Sequence, residues 1–101
     1  MEHLIIYAHP NPNSFNHAIL ETCLNKLTAL GASVEVRDLY KINFNPCFSL
    51  ADLEAKQAGK VLPDVQIEQD YINKAEKITF IAPIWWGLLP AMLKGYFDRV
   101  F

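Results

Sequence analysis

The order of apolar runs and amphipathic segments in this chain predicts an α/β fold built as a doubly wound parallel sheet. Two short runs, LIIYA at residues 4–8 and ITFIA at residues 78–82, are apolar without alternation, as strands buried on both faces are. Segments of helical period lie between the strands, so each strand returns to the sheet through a helical crossover. Each run also passes at once into a loop rich in Pro, Asn or Gly.

Residues 4–8 form the first strand and end against Pro10, Asn11, Pro12 and Asn13. Ser14 then caps a helix in which Leu20, Cys23 or Leu24, Leu27 and Leu30 recur at helical spacing until Gly31 supplies the C-cap. Residues 33–39 alternate Val34 and Val36 with Ser33, Glu35 and Arg37, the pattern of an outer strand with one wetter face. These elements make a βαβ unit. An irregular excursion containing Asn43, Asn45 and Pro46 follows, and Ser49-Leu50-Ala51-Asp52 is a capping box opening a short helix that ends at Gly59. Asp64 is expected to cap a further helix with Ile67 or Glu68, Tyr71 or Ile72, and Ala75 along one stripe, leading into the third strand at residues 78–82. Residues 83–89 form a loop, and Pro90 takes the first position of a helix carrying Leu93, Phe97 and Val100. The third strand would leave one edge unpaired, so residues 1–101 are expected to be one unit, truncated after that strand and the start of the following helix.

Composition narrows the function classes. The 101 residues are 51% apolar and 20% charged, which excludes disorder as the main state. A net charge of -2 and no basic stripe exclude nucleic acid as a partner. Cys23 and Cys47 are the only cysteines and Glu2 stands where a signal peptide would be basic, so a cytoplasmic protein is expected. The stretch between Lys77 and Lys94 is uncharged but is broken by Pro83, Gly87 and Pro90, and falls short of the ~20 apolar residues of a membrane span. The three histidines lack ligand partners at metal-binding spacing, and no metal is expected.

In an open α/β sheet the ligand lies beyond the carboxyl ends of the strands, which singles out residues 9–14 and 83–87. The first loop feeds a helix N-terminus, where free N–H groups and the dipole can hold a phosphate. It has no glycine, which excludes the dinucleotide GxGxxG turn and the P-loop, and the first basic residue is Lys26. What remains is a neutral cradle of the Ser14 hydroxyl, the Asn16 amide, the His9 imidazole and the N–H groups of Phe15, Asn16 and His17, or else a helix cap with no ligand. In the second loop, the adjacent Trp85 and Trp86 cannot both be absorbed by one core face. One should face the crevice, where a flat aromatic ligand would use it, or both could seal a dimer interface.

Residues 8–20 (AHPNPNSFNHAIL), residues 83–101 (PIWWGLLPAMLKGYFDRVF) and VEVRDLY between them resemble the flavodoxin-like NAD(P)H quinone oxidoreductases of the modulator of drug activity B and potassium-efflux ancillary flavoprotein type. The resemblance spans the chain but only about the N-terminal half of that family's fold. It implies a flavin, FMN with FAD as the alternative, whose phosphate lies against His9, Ser14, Phe15 and Asn16. Its isoalloxazine edge would lie on the loop of Pro83, Ile84, Trp85, Trp86 and Gly87. NAD(P)H would donate a hydride and a quinone-like acceptor would take two electrons. The family's catalytic side chains fall after a fourth strand, beyond residue 101. The resemblance further implies a homodimer with the flavin near its interface. Two other functions stay open: a regulatory flavoprotein subunit peripherally associated with a membrane potassium-efflux transporter, and a catalytically incomplete α/β interaction module.

Overall fold

The computed structural model describes residues 1–101. Strands β1 (His3–Tyr7), β2 (Val34–Asp38) and β3 (Lys77–Ile81) form one parallel sheet in the order β2-β1-β3. Tyr7 stands opposite Asp38 on one side and Ile81 on the other, so all three strands end at one level. From β1 the chain crosses first to one neighbour and later to the other. The order therefore reverses between β1 and β3, which is where such sheets open a crevice.

Helices α1 (Phe15–Ala29), α2 (Leu50–Gln57), α3 (Pro63–Lys74) and α4 (Ala91–Val100) complete the fold. The central strand is buried from Leu4 through Ala8, which is why its sequence shows no alternation. Leu4, Ile6 and Ala8 meet Leu39, Phe44, Val65, Leu93, Tyr96 and Val100 on the face covered by α3 and α4. Ile5 and Tyr7 meet Leu20 and Ile81 on the face covered by α1. The sheet is thus doubly wound, as the sequence pattern requires.

Local signals set most helix ends. Ser14 Oγ accepts the His17 N–H at 3.0 Å, and Gly31 takes φ +80 just past the C-cap Leu30. Leu30 is exposed rather than part of the apolar stripe, because the helix has ended before it. Ser49 and Asp52 form the expected capping box.

Two details depart from the sequence reading, and one alternative it left open is resolved. Asp64 does not cap α3; Leu62 occupies the cap position without a side-chain bond, Pro63 opens the helix, and the Asp64 carboxylate is held by Arg99. The inward stripe of α3 runs through Val65 and Glu68 while Ile67 is exposed, since Glu68 is paired with Arg37 of β2 at 2.6 and 3.1 Å. Pro90 is the N-cap of α4 rather than its first residue, and Tyr96, not Phe97, is the fully buried aromatic of that helix. No helix is long and apolar enough to cross a membrane.

Candidate functional site

The crevice between β1 and β3 is walled by the two loops that leave those strands. In the first, His9 Nδ1 accepts the Asn11 N–H at 3.0 Å and Asn11 Oδ1 accepts the Asn13 N–H at 2.9 Å, so the loop is tied by its own side chains. A neutral His9 that accepts at Nδ1 carries its proton on Nε2 and can donate there. The first turn of α1 has no acidic residue, which suits an anion. The His17 N–H is already taken by Ser14, contrary to the cradle read from the sequence. The N–H groups of Phe15 and Asn16 have no intrahelical partner, and the Ser14 hydroxyl keeps its own proton to donate. Phe15 is 80% exposed and Asn16 half-buried.

In the second loop Trp85 and Leu88 exchange backbone hydrogen bonds of 3.0 and 3.1 Å around Trp86 and Gly87, whose φ values are +55 and +73. Positive φ at both central residues defines a type I′ turn. Gly87 suits that conformation; a bulky Trp86 in it is an outlier that costs on the order of 1–2 kcal/mol. Trp86 is nonetheless fully exposed, so its side chain makes no packing contact that offsets that strain, and only the two Trp85–Leu88 backbone bonds hold the turn. Trp85 is 43% exposed and sets its ring edge-on to His9, with centroids 5.8 Å apart. That contact brings the two loops together. Pro83 is half-buried and Ile84 exposed. Trp86→Gly should raise stability by ~0.5–1 kcal/mol, the strain relieved less the entropy glycine loses. Urea unfolding would read this as a higher midpoint at unchanged slope, and a lower midpoint would show that the turn depends on the indole.

Sequence reasoning missed a buried ionic network behind this site. Arg99 donates to Asp52 at 3.0 Å, to both oxygens of Asp64 at 2.6 and 3.0 Å, and to the Asn45 carbonyl at 2.8 Å. The bond from Arg99 holds the Asp64 carboxyl below the usual carboxylate range. Burial alone would raise Asp52, but the Ser49 N–H and hydroxyl and then Arg99 outweigh it and hold Asp52 low. Beside them, Tyr96 donates to Glu68 at 3.4 Å, and burial first, then the Glu68 charge, pushes its hydroxyl well above the usual tyrosine range. These groups fix α4 and hence the loop that precedes it. Their partners lie 28 to 54 residues apart, a separation that no local pattern encodes.

A parallel sheet in the order β2-β1-β3 with helices on both faces defines a doubly wound α/β protein whose strand order reverses beside β1. The chain belongs to the family described as having a flavodoxin-like fold, which matches residues 1–101. It is 46% identical over 101 residues to an uncharacterized NAD(P)H oxidoreductase of Haemophilus influenzae, covering 99% of this chain and 50% of that protein. The NAD(P)H:quinone oxidoreductase from Methanothermobacter marburgensis superposes with a TM-score of 0.88 at 38% identity, over 99% of this chain and 53% of that one. The general stress protein 14 of Treponema denticola, solved in complex with FMN, superposes with a TM-score of 0.66 at 25% identity, over 99% and 48%. The chain spans about half the length of the relatives it matches.

Proposed function

We propose that residues 1–101 are the N-terminal part of a flavin-binding domain. The complete site would pass two electrons from NAD(P)H to a quinone or similar acceptor. The observation that carries this is the contact of His9 with Trp85, which joins a helix N-terminus suited to phosphate and an exposed aromatic turn at one crevice. The names of the relatives support the donor and acceptor, and the FMN-bound neighbour supports FMN over FAD.

The donor set fits a flavin phosphate without a cation: the Ser14 hydroxyl, the Phe15 and Asn16 N–H groups and His9 Nε2 can all donate. The exposed indole of Trp86, with Pro83, Ile84 and Gly87 around the turn, offers a flat apolar edge for a ring system. When bound, a flavin supplies hydride acceptance and two-electron transfer. The residues here would bind and orient it, with the Trp85–His9 contact holding the two loops together. The exposed apolar residues Ile84, Trp85, Trp86 and Leu88 also favour a homodimer built over this loop.

Tryptophan fluorescence tests the reading. FMN titrated into the protein should quench it, with Trp86→Ala binding more weakly at unchanged stability of the sheet. Ser14→Ala should lose ~1 kcal/mol of stability with the cap and about tenfold in FMN affinity. Quenching by FMN that is unaltered in both variants would remove these loops from the site.

A further inference from the structure

The two outer edges of the sheet differ in how they are guarded. β2 carries Glu35, Arg37 and Asp38, and charged side chains on an edge strand discourage further pairing. β3 opens on Lys77, but from Ile78 to Leu93 no residue is charged. The Lys77 N–H donates to the Glu2 carbonyl and the Ile81 carbonyl accepts from Ala8, so Lys77, Thr79 and Ile81 turn their backbone groups to β1. Those of Ile78, Phe80 and Ala82 point the other way, as alternate residues of a ladder do. An apolar edge with such a row of donors and acceptors is a template for another strand.

Both flanks of this edge are apolar as well. Over one face Phe80, Phe97 and Phe101 cluster with ring centroids 5.0 to 6.4 Å apart, and Phe80 is still 39% exposed. Over the other face runs α1. Its His17 flank turns toward the end of β2, where it shares a cleft with Asp38, so Phe15, Ile19 and Cys23 on the opposite flank overhang β3. These three line an open apolar depression of about 200 Å³. The whole chain exposes 6439 Å², about 600 Å² more than a globular monomer of 11.5 kDa does. Each partner in a standard interface contributes roughly 800 Å², so the surplus approaches what one such contact removes.

We propose that the β3 edge of this chain is an interface for a second copy of itself, paired antiparallel about a two-fold axis through Phe80. A two-fold axis perpendicular to the sheet keeps each face on its own side. The phenylalanine cluster then meets its copy over one face, and the Phe15, Ile19 and Cys23 flank meets its copy over the other. In this register Phe80 faces the partner's Phe80 and Ile78 faces the partner's Ala82, so the outward groups of both strands pair. Lys77 falls opposite Pro83, which has no N–H to offer and ends the row, and no like charges meet across the axis. The three-stranded sheet thereby continues across the dimer. This contact lies apart from the Trp85–Gly87 turn and rests on no property of the flavin crevice.

Sedimentation equilibrium of the 101-residue chain without FMN tests this. The chain should sediment at twice its own mass, with a dissociation constant of about 1 µM or tighter. The amide protons of Ile78, Phe80 and Ala82 should exchange slowly with solvent, because the second strand gives them acceptors. Phe80→Lys and Phe80→Glu each set like charges opposite one another and should weaken the dimer about a hundredfold. An equimolar mixture of the two variants should restore it, since opposite charges then face across the axis. Ile19→Lys, whose stem can lie along the apolar flank with its ammonium in water, keeps the fold and should weaken the dimer about tenfold. Trp86→Ala should leave it unchanged. A monomer at every concentration, a dimer in which those three amides exchange fast, or a dimer that tolerates both Phe80→Lys and Ile19→Lys overturns the proposal. So does a dimer lost in Trp86→Ala and kept in Phe80→Lys, which would put the contact on the turn instead.

Discussion

Replacing Arg99 with Ala is expected to destabilise the protein by ~3–5 kcal/mol, the range for breaking a buried ion pair by removing one partner. The Arg99 side chain is 2% exposed and ties α4 to α2 through Asp52, to α3 through Asp64 and to the excursion through Asn45. Its loss leaves the buried Asp52 carboxylate with only its cap bonds from Ser49. A domain of this size has on the order of 5–15 kcal/mol in total, so the variant should be largely unfolded near 37 °C. Arg99→Lys keeps the charge but not the two-pronged geometry and should fall between. The network also sets an acid limit. The folded pKa values of Asp52 and Asp64 are depressed, so their stabilisation is present above the unfolded value of about 3.9 and is lost as pH falls through the lower folded values. Denaturant midpoints should therefore drop below about pH 4 in the parent and change less in Arg99→Ala. A loss under 1 kcal/mol at neutral pH would show that the network is dispensable.

What was legible in the sequence was legible because it is local. The apolar run Leu4–Ala8 around β1, the Ser14 cap and the Ser49–Asp52 box each specify themselves within one turn or strand. The two candidate loops could be found because sheet topology places ligands at strand ends, whatever the residues in between. Asp64 shows where this stops. An acid beside a helix start looks the same whether it caps that helix or waits for an arginine 35 residues away. Ile67 and Glu68 were equally good candidates for the buried stripe, and the choice belongs to Arg37 on another element. Tyr7 likewise reads as strand core, and its unpartnered hydroxyl appears only once β2 and α1 surround it. Trp86 was conspicuous as a residue type, yet its positive φ runs against its own preference and could not be read from the tryptophan pair.

Gly95 is the clearest case of a residue whose role only packing reveals, and its substitution carries the other large effect. A glycine inside a helix costs about 1 kcal/mol relative to alanine, so propensity alone predicts that Gly95→Ala stabilises. Yet a Cβ at this position would fall 2.5 Å from Pro46 Cα and closer still to the Pro46 carbonyl oxygen and Cβ. Backbone cannot turn aside as a flexible side chain does, and the neighbouring Asn45 carbonyl is pinned by Arg99. Overpacking of this kind costs ~1–3 kcal/mol and can exceed that, which outweighs the gain in helix propensity. The expected result is a net loss of ~2 kcal/mol, with α4 pushed off the excursion and the Trp85–Gly87 turn moved with it. FMN affinity should fall together with stability, although Gly95 lies outside both loops. Combined with Arg99→Ala, the loss should be smaller than the sum, because both changes open the same contact between α4 and residues 45–46. Urea unfolding of the two single variants and the double variant measures this directly. A Gly95→Ala protein more stable than the parent would mean that helix propensity, not the close approach to Pro46, decides this position.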